Sequence, residues 1–163
     1  MKIKNINIII LLLLLPLFFS SCSIQTMATI KADADNDIKT YMEQNEINVA
    51  PNQSGLVYIS LKEGNGDSPQ IGDKVAFHYT GYYFDGEVFD SSYDRALPLV
   101  VQLGNDMIIK GMEESLLMMK KGSKAKILVP FYLAYNDMEN APVPPYSSLI
   151  FEIELIDFTK GQQ

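Results

Sequence analysis

VAFHYTGYYFDGEVFDSS, residues 75–92, is the stretch on which the fold turns. Val75, Phe77 and Tyr79 recur at every second position, with Ala76, His78 and Thr80 between them. That period puts the two sets on opposite faces of a β-strand. Asp85-Gly86 separates this run from Val88-Phe89, and Asp-Gly readily adopts the positive φ values of a tight hairpin turn. The strand is therefore expected to fold back and return Phe89 and Asp90 to the neighbourhood of Tyr79. On residue chemistry alone, such a hairpin is either part of an aromatic cup with one acid at its rim or an ordinary amphipathic hairpin with a buried Tyr.

Outward from the hairpin, residues 56–61 alternate as a strand, and GNGD (64–67) with Ile71-Gly72-Asp73 forms a turn-rich loop into the central strand. Residues 98–103 read as another short strand. Ile108-Ile109-Lys110-Gly111 leads into a helix over 112–119, with Glu113 and Glu114 in its first turn, Lys120 and Lys121 at its end and Gly122 as its C-cap. Those charges complement the helix dipole, and glycine suits a left-handed cap. Residues 124–129 and 149–156 are strands; in the second, Leu149, Phe151, Ile153 and Leu155 share one face, and Glu152 and Glu154 the other. The fold class that follows is α+β, an antiparallel sheet wrapped around one short helix.

This arrangement of motifs resembles the FKBP-type peptidyl-prolyl cis-trans isomerases, which carry a V-x-V-H-Y-T-G strand, a D-G turn and F-D-S-S followed by Arg. Here the sequence has VAFHYTG (75–81), Asp85-Gly86, Phe89-Asp90-Ser91-Ser92 and Arg95 in the same order. Further matches are LGNDMIIKGMEES (103–115), KGSKAKILVP (121–130), LAY (133–135) and VPPYSSLIFEIELI (143–156). The resemblance covers about residues 55–159 and implies an FKBP-like domain over 51–163. It also implies a prolyl-isomerase activity that needs no cofactor or metal, and proline-containing polypeptides as clients.

Carried over residue by residue, the resemblance places Tyr79, Phe89, Asp90, Leu99, Ile108, Ile109, Met112, Tyr135 and Phe151 around a proline pocket. Phe89 and Phe151 would form walls, Met112 the floor, and Val143 part of an overhanging loop. The Ile109 N–H and the Tyr135 hydroxyl would each hold a substrate carbonyl, while Asp90 would engage the Tyr79 hydroxyl and Arg95. Three positions depart from the family pattern: Met112 replaces the commonest floor residue, Trp; Leu99 stands where an aromatic is usual; and Asn136 replaces Gly. Met is flexible and grips a proline less tightly, and Asn tolerates the left-handed backbone that Gly would supply. The loop over 136–143 carries Asp137 and Glu139, which predicts a rim that disfavours acidic residues next to proline.

The remaining chemistry is narrow. The chain has one Cys, Cys22, outside the domain, and one His, His78, on the strand face opposite Tyr79. Neither a His-based triad nor a cluster of metal ligands can be built from these. Rotation about an X-Pro bond needs none of them. Its barrier of about 18–20 kcal/mol comes from C–N resonance, and an apolar cup that fits the twisted amide better than either planar isomer lowers it by differential binding. Two readings stay open: an isomerase acting on exported proteins, and a client-binding module with little turnover.

At the N-terminus, Lys2 and Lys4 precede a 12-residue apolar run over 8–19 that Pro16 interrupts, followed by Ser20, Ser21 and Cys22. A membrane span needs about 20 apolar residues, so residues 1–21 read as a secretory signal. The lone Cys after small residues resembles a bacterial lipobox, which implies that Cys22 is lipidated, anchors the chain to a membrane of the cell envelope and faces the periplasm; the alternative is ordinary cleavage leaving a free thiol. Without the first 21 residues the chain keeps 11 basic and 20 acidic residues, net −9. Such a charge argues against a nucleic-acid partner. Residues 22–32 read as a tether and 33–50 as a helical segment, with Ile38, Tyr41, Met42 and Ile47 at helical spacing and acids early. That helix either packs on the domain or pairs with a second copy.

Overall fold

The computed structural model describes residues 26–161, so the stretch read as a secretory signal, and Cys22, lie outside the described residues. The period-2 segment forms β2 (Lys74–Tyr82), the strand on which the sheet is hung. β6 (Leu149–Thr159) pairs with β2 along its whole length, from Lys74 opposite Thr159 to Tyr82 opposite Ile150. On its other edge β2 is shared, by β4 (Leu99–Gln102) opposite Lys74 to Phe77 and by β3 (Val88–Ser91) opposite Thr80 to Tyr82. With β1 (Val57–Lys62) and β5 (Lys124–Val129), the order is β1-β5-β6-β2-β3, every pairing antiparallel.

The β2–β3 turn closes with the Gly86 N–H donating to the Tyr83 carbonyl and the Tyr83 N–H donating to the Glu87 carbonyl. Of Asp85-Gly86, Gly86 alone has positive φ, +91°. The connection is therefore a three-residue loop with a left-handed glycine at its end rather than the tighter turn expected from the dipeptide.

One face of the sheet wraps α2 (Lys110–Met118). Val75, Phe77, Ala125, Ile127, Val129, Leu149, Ile153 and Leu155 from the strands enclose Met112, Leu116 and Met119, and all are buried in one cluster. Gly111 permits this close approach: a Cβ there would lie 2.6 Å from Val129 Cγ1. The helix begins two residues before the expected start and stops at Met118, because Met119 turns extended (φ −82°, ψ 155°) to bury its side chain in the core. Gly122 is thus not its C-cap. It occupies the third position of the Lys120–Ser123 turn that leads into β5, with φ +78°. Glu113 accepts from the Gly104 N–H, and Glu114 accepts from the side chains of Asn52 and Ser54, so both acids fasten the helix to loops.

α1 (Met27–Gln44) covers the opposite face. It starts well before residue 33, inside the stretch read as tether, because the Thr26 hydroxyl accepts from the Thr29 N–H as an N-cap. Consequently the acids fall mid-helix and none stands in the first turn. Ala34 and Ile38 are buried, and Ile38 joins Val57, Leu128 and Ile150 in a second cluster flanked by Tyr41, Met42 and Ile47. Leu128 and Ile150 point away from the main core and are dry only because α1 lies on them. The helix ends with Glu46 left-handed (φ +54°) and the Ile47 N–H donating to the Met42 carbonyl, the hydrogen bond of a Schellman cap. Of the two fates open to this segment in the sequence, packing on the domain is the one observed.

Candidate active site

The hairpin and the first turn of α2 converge on Tyr79. β3 carries one residue more than β2 at the point where Gly81 faces Asp90 and Tyr82 faces Val88. The surplus residue is Phe89, and the bulge swings its ring over Gly81 onto Phe151, edge to face at 5.7 Å between centroids. Tyr79 lies 6.2 Å from Phe151, and Tyr83 lies 5.3 Å from Phe89 on the outer side. Phe151 is buried, Phe89 half-buried.

Ser92 fixes the same corner. Its hydroxyl is buried, accepts from the Tyr79 N–H at 2.9 Å and shares a hydrogen bond with His78 Nδ1 at 2.9 Å. His78 stacks on Tyr93 at 4.4 Å, and these contacts account for it on the outer side of the strand. Ser92 lay inside the F-D-S-S motif, yet nothing in its residue type marked it as the staple.

A short 3-10 turn, Tyr93–Arg95, folds the chain back so that Arg95 reaches the acid. Arg95 Nη1 donates to Asp90 Oδ1 (2.8 Å) and Nη2 to the Tyr79 hydroxyl (2.9 Å), while that hydroxyl donates to Asp90 Oδ2 (2.5 Å). Burial, and then the neighbouring Asp90 carboxylate, push the Tyr79 phenol up to about 12. For Asp90, burial works to raise the value, but the hydrogen bonds from Arg95 and Tyr79 outweigh it and hold the carboxyl below its ordinary range. Near neutral pH the triad is a neutral phenol, a carboxylate and a guanidinium. Each is engaged by the other two, which fixes the wall of the cup and leaves no base poised to take a proton.

A cleft of about 690 Å³ opens beside Tyr79, lined by Leu99, Ile108, Ile109, Met112 and Tyr135 among the expected residues. Met112 is buried at its floor. Phe89, Phe151 and Asp90 are not among the residues that line this cleft, and Val143 is buried in the main core. The rim holds residues that sequence motifs did not single out: Asp106, Met107, Lys110, Tyr132 and Met138. Asp137 lines the cleft as well, whereas Glu139 stands outside it. Met107 and Met138 are each 61% exposed, so flexible thioethers border the opening.

The cleft's donors without a partner among the described residues include the backbone N–H of Ile109 and the hydroxyl of Tyr135. Ile109 is the N-cap residue of α2; its carbonyl accepts from Met112 and Glu113, but its own N–H points out of the helix start. Burial raises the Tyr135 phenol, with the Asp90 charge adding to the effect, so the group stays a donor. Asn136 adopts φ +53°, the left-handed turn that Gly would otherwise supply, and its Oδ1 is buried without a partner among the described residues.

The sequence profile of the FKBP-type peptidyl-prolyl cis-trans isomerases matches residues 66–156. The chain belongs to this family. It is 40% identical over 131 residues to the FKBP-type peptidyl-prolyl cis-trans isomerase FkpA of Escherichia coli, covering 78% of this chain and 48% of that protein. It is 35% identical over 162 residues to the macrophage infectivity potentiator of Trypanosoma cruzi, covering 91% of this chain and 82% of that one. The crystal structure of Escherichia coli FkpA superposes with a TM-score of 0.67 at 35% identity, over 83% of this chain and 65% of the other. The chain thus spans about half the length of the first relative, FkpA. FKBP-type folds wrap a sheet on one short helix, and that expectation from the sequence agrees with the structure.

Proposed function

We propose that the chain is a peptidyl-prolyl cis-trans isomerase that accelerates rotation about X-Pro bonds in polypeptide clients. The observation that carries this reading is the pair of unused donors, Ile109 N–H and Tyr135 O–H, set above the apolar floor made by Met112. A proline ring enters against Met112 and Tyr79, and the two donors bind carbonyls on either side of it. The amide between them then lies in a low-polarity cup. Its planar form is dipolar through C–N resonance and loses solvation there, whereas the twisted form, with that resonance broken, loses less. Binding that favours the twisted amide lowers the barrier with no proton transfer or covalent step. Asp90 and Arg95 act at one remove, by holding the Tyr79 ring in place.

Cis/trans exchange of a short Leu-Pro peptide, followed by NMR at equilibrium, tests the reading. The protein is expected to accelerate exchange, and Phe89→Ala to reduce that acceleration about tenfold or more, since the ring packs on Phe151, which in turn meets Tyr79. Peptide that binds with exchange unchanged would instead make the chain a client-binding module.

The same proposal places the protein in the bacterial cell envelope, anchored through lipidated Cys22 and facing the periplasm. The apolar run before Cys22 and the absence of any other cysteine in the sequence support it. One acyl chain holds a protein only marginally, so a multiply acylated cysteine is the anchor that would last. Cys22→Ser should move the protein out of the membrane fraction; a variant that stays there overturns the anchor and leaves the isomerase reading standing.

A further inference from the structure

α1 touches one lining residue of the cleft, Tyr132, and, farther along, the tip of the β2–β3 hairpin that carries Phe89. At one end of the contact, Asp35 Oδ1 accepts from the Tyr132 hydroxyl at 2.9 Å, and Lys31 both pairs with Asp35 at 2.9 Å and sits 3.9 Å from the centroid of the Tyr132 ring. Tyr132 lines the cleft and belongs to the 3-10 turn Phe131–Leu133 that delivers Tyr135. Its hydroxyl is enclosed on the far side by Gly55, where a Cβ would stand 2.3 Å away. At the other end, Tyr41 of α1 packs on Phe84 at 5.1 Å, at the tip of the β2–β3 hairpin. Its neighbour Tyr83 packs on Phe89, which in turn bears on Phe151. Between the two ends, Ile38 lies on Val57, Leu128 and Ile150, so the helix is seated on the sheet by apolar burial.

We propose that α1 is a brace for the active site, and that Asp35 and Tyr132, with Tyr41 and Phe84, are positioning residues that set the Tyr132 side of the cleft against the β2–β3 hairpin. The inference rests on the isomerase reading for its kinetic consequence. Its geometry is independent of that reading. The apolar seat alone would hold α1 on the sheet; the Asp35–Tyr132 hydrogen bond adds a directed link to the segment that supplies a substrate-binding hydroxyl. Removing it should leave the helix docked and loosen the Tyr135 side of the cleft. A looser binding wall weakens ground-state and transition-state binding alike, which raises KM and leaves kcat largely intact.

The test compares Asp35→Ala, Asp35→Asn, Tyr132→Phe and Phe84→Ala with the parent in the full-length chain. KM and kcat are read on a Leu-Pro peptide, Kd for the same peptide by NMR titration, and the folded fraction by thermal melting. Asp35→Ala and Tyr132→Phe should each raise KM and Kd about fivefold, the loss of one hydrogen bond, with kcat held within about twofold. Both should shift the Tyr135 ring resonances. Asp35→Asn, which keeps the acceptor for Tyr132 and gives up the ion pair with Lys31, should stay close to the parent, and Phe84→Ala should shift Phe89 rather than Tyr135. The brace is overturned if Asp35→Ala binds peptide like the parent, or if its affinity falls only in step with its folded fraction. A parent that binds peptide without accelerating exchange would defeat the isomerase reading, while Kd would still decide the brace.

Discussion

Phe151→Ala is expected to cost the domain about 3–5 kcal/mol, the range for deleting a buried phenyl ring from a packed interior. Phe151 is 1% exposed and sits on β6, the strand with long pairings on both sides. Its partners in register are Ile127 and Gly81, and its ring meets Phe89 at 5.7 Å and Tyr79 at 6.2 Å. The in-register partners cannot fill the space, because Gly81 offers no side chain and Ile127 is held in the sheet. Set against the 5–15 kcal/mol by which domains are usually stable, roughly, the variant keeps little margin. Urea unfolding followed by tyrosine fluorescence should show a much lower midpoint with an unchanged slope. Phe151→Leu, which refills most of the volume, should lose about 1.5 kcal/mol or less. A loss below about 1 kcal/mol for the alanine variant would mean that the ring does not carry this junction.

Gly81→Ala should damage activity more than stability. Gly81 is not held at positive φ, so alanine meets no backbone obstacle and the effect is steric. The added methyl would lie 2.5 Å from Phe89 Cζ, 2.8 Å from Phe89 Cε1 and 3.0 Å from Phe151 Cε1. Phe151 is locked in the core, so the half-buried Phe89 is the ring that gives way. Overpacking of this kind costs about 1–3 kcal/mol, which a folded domain survives. The displaced Phe89 shifts against Phe151, on which Tyr79 packs, and isomerase acceleration should fall about tenfold or more, well beyond any loss of folded protein. The pair of measurements is exchange NMR and a thermal melt on the same sample. Full activity in a stable Gly81→Ala protein would show that the Phe89 position does not govern the cup.

The hairpin was legible because period 2 and an Asp-Gly turn are local properties of the chain, and Tyr79, Phe89 and Asp90 followed from it. The family motifs then carried the sequence to Leu99, Ile108, Ile109, Met112 and Tyr135, which the fold does bring to one cleft. Other features depend on partners distant in sequence. Tyr132 looks like one more aromatic in a turn; only Asp35, 97 residues away, reveals a second contact behind the cleft. Leu128 breaks the alternation of β5 and is explained only once α1 covers it. The start of α1 is hard to see in the sequence because its first turn is only weakly patterned, the stripe running from Ile30 through Ala34 to Ile38, so the Thr26 cap decides the boundary. The end of α2 was misplaced for the opposite reason. Gly122 has the positive φ of a helix cap, but burial of Met119 ends the helix at Met118, so Gly122 falls in the following turn.

The position of β6 between β5 and β2 governs how the chain can assemble. β1 and β5 can pair with each other, as can β2 with β3 and β4, but only β6 joins those two groups. It is also the last strand among the described residues. A polypeptide delivered from its N-terminus first, whether from a ribosome or through a translocation channel, therefore holds two unjoined half-sheets until about residue 159 has emerged. Long-range closure of that kind is slow and leaves strand edges open in the meantime. The domain can acquire its cup only after β6 has been delivered to the rest of the sheet.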